Sequence, residues 1–83
     1  MSTLHLVFSR AGYEACKQRC RDDDPVLLLQ DGVYADTDEK AVLALESDSI
    51  ARGMHNRLVN VAHIDMDQFV ALTTQHKPVV SWR

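Results

Sequence analysis

Short apolar runs alternate along this chain with stretches that suit helices. Leu4 to Phe8 is the first apolar run and predicts a strand. Ser9 then stands where an N-cap belongs, ahead of a helix over residues 12–22. Asp22-Asp23-Asp24-Pro25 closes that helix, because proline disfavours helix in the residue before it and cannot continue one. Val26 to Leu29 are four apolar residues in succession, within a strand predicted over 26–30. A strand that is apolar on both faces belongs in a parallel sheet covered by helices. Gln30-Asp31-Gly32 stops the run with turn chemistry: Asp can bond its own backbone, and Gly tolerates positive φ.

Residues 33–40 have room for at most a short helix before a third strand over Ala41–Leu45. Ser47 or Asp48 is expected to cap a helix over about 48–52, with Gly53 as its C′ residue. Val59–Ile64 predicts the fourth strand. Asp65 and Gln68 have the spacing of a capping box, and Met66, Phe69, Val70 and Thr73 follow the i, i+3, i+4, i+7 stripe of a helix lying on a core. Pro78 breaks that helix, and Val79 to Trp82 is a last short strand. This alternation predicts a single α/β domain over residues 1–83, with a mainly parallel sheet of about five strands flanked by helices. The second crossover is close to the shortest that can join parallel strands, so its helix is abbreviated and leaves sheet surface for something else to cover.

Composition narrows the classes. The 83 residues are enough for one domain, and 46% of them are hydrophobic, as in a folded globule. A domain of this size buries only about 60–65% of its unfolded surface and is marginally stable. No apolar run reaches membrane-spanning length, and the N-terminus lacks a basic start followed by a long apolar region. A cytoplasmic protein is expected, with two thiols rather than a disulfide. The net charge of −3 argues against direct nucleic-acid binding. The charge is uneven: Arg10, Lys17, Arg19 and Arg21 cluster early, and an acidic stretch runs from Asp31 to Asp48. Two solvated faces explain this; complementary patches for protein partners explain it too.

The candidate chemistry is sparse. Cys16 and Cys20 are four apart on one face of the first helix and, with Tyr13, form its apolar stripe. Their spacing is not C-x2-C, and no second pair exists for a zinc ribbon. Buried thiols behave as small hydrophobes; the functional alternative is a thiolate favoured by Lys17 and Arg19. Both are expected to be slow toward alkylation, with Cys20 slower beside the acidic run 22–24. His5, His55, His63 and His76 are scattered without metal-ligand spacing, and neither metal nor cofactor is expected. Asp31 follows a strand and is either a turn former or a functional carboxylate. No phosphate-binding loop or nucleophile elbow occurs.

Taken in order, several weak motifs resemble the TusB/DsrH family, small subunits of bacterial sulfur-relay complexes. Leu4-His5 resembles that family's N-terminal "LH", and Leu27 to Val33 its central "LLLQDGV". Ile50 to Gly53 matches "IARG"; Ile64-Asp65, Phe69-Val70 and Leu72-Thr73 resemble "ID…DFV.LT"; His76 and Ser81-Trp82 resemble the tail. The resemblance implies a DsrEFH-like fold in a heterohexamer with DsrE-like and DsrF-like (TusD-like and TusC-like) sister subunits, and no membrane partner. In the Tus branch, such a complex passes persulfide sulfur toward 2-thiolation of the tRNA wobble uridine. The essential Cys there belongs to a sister subunit, so the implied role is assembly rather than catalysis. In the Dsr branch, used in sulfur oxidation, the corresponding subunit carries its own Cys; Cys16 matches that position by its distance from Asp31, which makes it the candidate sulfur carrier. The segment between Val33 and Ala41 is roughly ten residues shorter than in typical members, which removes most of their second helix. A stand-alone structural domain of the same fold is the third reading.

Overall fold

A computed structural model describes residues 3–21, 23–35, 42–58 and 61–83. Five strands, β1 (Leu4–Val7), β2 (Val26–Leu28), β3 (Val42–Leu45), β4 (Ala62–Ile64) and β5 (Val79–Trp82), alternate with helices α1 (Arg10–Arg19), α2 (Glu46–Ala51) and α3 (Met66–Gln75). A 3₁₀ turn over Gln30–Tyr34 follows β2, which ends at Leu28 rather than at 30, and overlaps the expected crossover helix only at residues 33–34. All pairings are parallel, in the order β4-β3-β2-β1-β5. The chain steps outward from β1 to β4, then α3 carries it back to the far side of β1. Right-handed crossovers running in opposite directions place their helices on opposite faces.

The two cores follow that division. On one face, Val7, Val26, Leu28, Val42 and Ala44 pack under Tyr13 and Cys16 of α1, Val33 and Ala35 of the 3₁₀ segment, and Leu58 and Val61. The last two lie in the connection after α2, and they supply the cover that the short crossover lacks. On the other face Leu4, Leu6, Leu27, Leu29, Leu45 and Ile64 form a leucine-rich core, with Phe69 and Leu72 of α3 against it. β2 is buried on both faces, as its unbroken apolar run requires.

Local capping chemistry sets three of the helix boundaries. The Ser9 hydroxyl accepts from the Gly12 amide at 2.9 Å and starts α1. Asp65 and Gln68 form the expected capping box, at 2.8 and 2.9 Å. Gly53 sits at φ +66° past the end of α2, where only a residue tolerant of left-handed backbone fits well.

Four expectations need correction. α1 stops at Arg19 rather than at 22, because the Asp24 carboxylate accepts from the Arg21 amide at 3.1 Å and that local turn competes with another helical turn. Neither Ser47 nor Asp48 caps α2, which begins at Glu46 directly after β3. The Asp48 carboxylate instead accepts from the Gln30 amide at 2.8 Å, across to the turn after β2. Met66 and Val70 face solvent, 54% and 55% exposed; the core side of α3 is Phe69 and Leu72. The left-handed residue in the turn after β2 is Gln30, at φ 49°, not Gly32. Gly32 has a different reason: a Cβ there would lie inside the van der Waals envelope of the Val7 carbonyl. Residues 36–41 and 59–60 of the expected second crossover and of the third and fourth strands lie outside the described residues.

Candidate functional site

Cys16 points into the α1-side core and is 1% exposed. Burial, helped by the neighbouring Cys20 thiol and by the Asp24 carboxylate, pushes its thiol up to about 12. Lys17 offers no counterweight: it pairs with Glu14 at 3.3 Å and lies over the Tyr13 ring. Cys20, at the C-cap, is only partly buried. Burial of Cys16 therefore favours reaction at Cys20, the reverse of the order expected from the sequence. Both cysteines are free thiols.

Beside them is a buried polar network that the sequence did not announce. His5, from the middle of β1, places Nε2 2.9 Å from Asp24 Oδ2, and the Trp82 indole donates to His5 Nδ1 at 3.0 Å. An indole N–H can only donate, so Nδ1 is the bare nitrogen and Nε2–H donates to the carboxylate. The two bonds thus fix which His5 nitrogen donates and which accepts. Asp24 also accepts from the amides of Thr3, at 2.9 Å, and Arg21. Burial opposes ionisation of Asp24, but these bonds, that from His5 foremost, hold its carboxyl down at about 2. His5 and Asp24 side chains are each 6% exposed. The network ties β1, the approach to β2 and β5 together at the thiol end.

The signature turn Gln30-Asp31-Gly32 lies at the opposite, C-terminal edge of the sheet. Asp31 accepts from Arg52 Nε at 3.0 Å, and Arg52 also faces Asp48 at 3.7 Å. These contacts, the bond from Arg52 to Asp31 above all, raise the Arg52 guanidinium above its ordinary value. Asp31 and the arginine of the Ile50-Ala51-Arg52-Gly53 motif therefore belong to one clasp between the 3₁₀ turn and α2.

The four histidines do not gather. His5 is in the network above; His55 and His63 stack with ring centroids 4.5 Å apart, and His63 Nε2 lies 3.2 Å from the buried Ser49 hydroxyl. Among the described residues no three His, Cys, Asp or Glu converge as metal ligands, and no helix is long and apolar enough to cross a membrane. Among the described residues a cleft of about 790 Å³ lies between α1, the 3₁₀ segment and the turn after α2, lined by Arg10, Glu14, Tyr34, Met54, Arg57 and Leu58 among others. A sequence reading misses it because Arg10 and Arg57 meet only through the fold.

Comparison with known proteins adds a family. The family model described as "DsrH like protein" matches residues 7–79. Proteins named "Protein TusB" from Escherichia coli strain SMS-3-5, Escherichia coli O81 strain ED1a and Shigella sonnei strain Ss046 are each 34% identical to this chain. Each alignment covers 99% of this chain and 99% of the relative. The 94 aligned positions exceed the chain's 83 residues by 11, so each relative carries at least that many residues without a counterpart here.

Proposed function

This chain belongs to the DsrH-like family, and from that premise we propose that it is an assembly subunit of a cytoplasmic sulfur-relay complex that serves 2-thiolation of the tRNA wobble uridine. The observation that carries the proposal is end-to-end similarity to relatives named TusB. Its partners are sister subunits of DsrE-like and DsrF-like type in a heterohexamer, and one of these supplies the persulfide-bearing Cys. Burial of Cys16 supports the assembly role: a persulfide donor must reach the sulfur it loads, and this sulfur is enclosed by the sheet and α1. The exposed Ile50, Met66 and Val70 support a chain that is covered by other subunits. The rival role, a DsrH-type carrier in sulfur oxidation, requires Cys16 to become accessible.

The test is deletion of the gene in its own cell, with 2-thiouridine in bulk tRNA measured by mass spectrometry. Deletion should abolish the modified base, and wild type, Cys16→Ser and Cys20→Ser should each restore it. Co-purification should recover the sister subunits with all three. Loss of the modification with Cys16→Ser, in a complex that still assembles, would put the sulfur on this chain and overturn the assembly role. Unchanged 2-thiouridine after deletion would refute the tRNA assignment itself.

A further inference from the structure

Among the described residues, the cleft between α1 and the turn after α2 is lined by two arginines and one carboxylate. Two acids border it or its neighbour, and both are already matched. Glu14 pairs with Lys17 at 3.3 Å, and Asp31, which lines the adjoining shallower cleft, is held by Arg52 at 3.0 Å. The two arginines in its wall are not matched: among the described residues, neither the Arg10 nor the Arg57 guanidinium has a carboxylate partner. They come from different elements, Arg10 from the first residue of α1 and Arg57 from the turn after α2, and line one cleft. Between them the lining is apolar or aromatic, from Met54, Leu58 and the Tyr34 ring.

A concavity of about 790 Å³ is within the range that holds a small molecule rather than a folded partner. Guanidinium groups recognise oxyanions by paired, charge-assisted hydrogen bonds. An apolar lining adds affinity only for a ligand that has a body to bury. We propose that this cleft binds a small organic oxyanion, a phosphate monoester on an apolar or aromatic body. Its head lies between Arg10 and Arg57, and its body rests on Met54, Leu58 and Tyr34. The cleft is lined by neither thiol, so the site is independent of the sulfur-relay role.

The test titrates the full-length ¹⁵N-labelled chain with phenyl phosphate and follows amide and arginine Nε signals by NMR. Inorganic phosphate and phenol are the separate head and body probes. Saturable shifts should appear at Arg10, Arg57 and Tyr34–Ala35, and phenyl phosphate should bind at least about tenfold more tightly than inorganic phosphate. Arg10→Gln and Arg57→Gln should each weaken binding by about ten- to a hundredfold, the range expected for loss of one charged hydrogen-bonding partner. Arg19→Gln, on α1 but outside the cleft, should change nothing. Both cleft arginines are exposed, so these variants should melt as wild type does. Any of three results overturns the proposal: no saturable shift up to about 10 mM ligand, well beyond weak specific binding; equal affinity for inorganic and phenyl phosphate; or an Arg19→Gln effect as large as those of the cleft arginines.

Discussion

Asp24→Asn should cost this domain a large share of its stability, and the cost should depend on pH in a stated direction. In the folded chain the carboxyl titrates at about 2, against an ordinary 3.8. Each unit of such a difference corresponds to about 1.4 kcal/mol, so the ionised form contributes about 2 kcal/mol to folding. A domain of this length has about 4–12 kcal/mol in total. The folded-state value is depressed, so the contribution is complete above the unfolded value and is lost as pH falls from about 3.8 to about 2. Asn keeps the shape but not the acceptors. In the place of Oδ2 its amide nitrogen would face two donors, His5 Nε2–H and the Arg21 amide. His5 cannot relieve the clash by changing tautomer, because the Trp82 indole occupies Nδ1. Urea unfolding of wild type and variant at a series of pH values measures the difference. It should be about 2 kcal/mol or more at neutral pH and should shrink toward the acid end. A difference that is small at neutral pH, or equally large at every pH, would refute the argument that an ionised, hydrogen-bonded Asp24 holds β1, β2 and β5 together.

Gly32→Ala should destabilise by about 3 kcal/mol, because the added methyl meets the Val7 carbonyl, a backbone atom that cannot move without breaking the β1 pairing; a shift below about 0.5 kcal/mol in the same unfolding assay, the range of an innocuous surface change, contradicts this. Iodoacetamide at neutral pH should label Cys20 before Cys16, whose thiolate fraction is on the order of 10⁻⁵ with a thiol near 12. In denaturing urea the two rates should converge, and faster labelling of Cys16 in the folded chain would show that the core around it opens. The isolated chain should not retain tRNA on a filter at physiological salt, since a net charge of −3 gives little counterion-release drive; submicromolar, salt-sensitive retention counts against this.

What the sequence disclosed was local. The capping box at Asp65 and Gln68, the Ser9 cap, the Gly53 terminus and the strand after Pro25 each depend on residues a few positions apart, and each was legible. The His5–Asp24–Trp82 network joins residues 19 and 77 positions apart, and nothing in the flanking sequence of any one of them announces the others. The same holds for Arg10 and Arg57, which share a cleft only because α1 and the turn after α2 lie on one face of the sheet. Asp48 shows how a local rule loses to a distant partner. It has the chemistry of an N-cap, but the Gln30 amide and Arg52 take its carboxylate, and α2 starts without a side-chain cap.

The misreading of α3 has a physical cause that bears on the proposed role. A single apolar stripe identifies the buried face of a helix only if the rest of the helix is polar. Here Met66, Phe69, Val70, Ala71 and Leu72 are apolar within seven residues, and they divide between two directions. Phe69 and Leu72 turn to the leucine-rich face of the sheet, while Met66 and Val70, one helical turn apart, remain exposed. Periodicity found the stripe but had no means of choosing between two. For a solitary small domain, large aliphatic side chains left together on the outside add no folding energy and favour association. The same sequence feature that defeated the assignment of the core face is thus what a chain built to be covered by neighbouring subunits should contain.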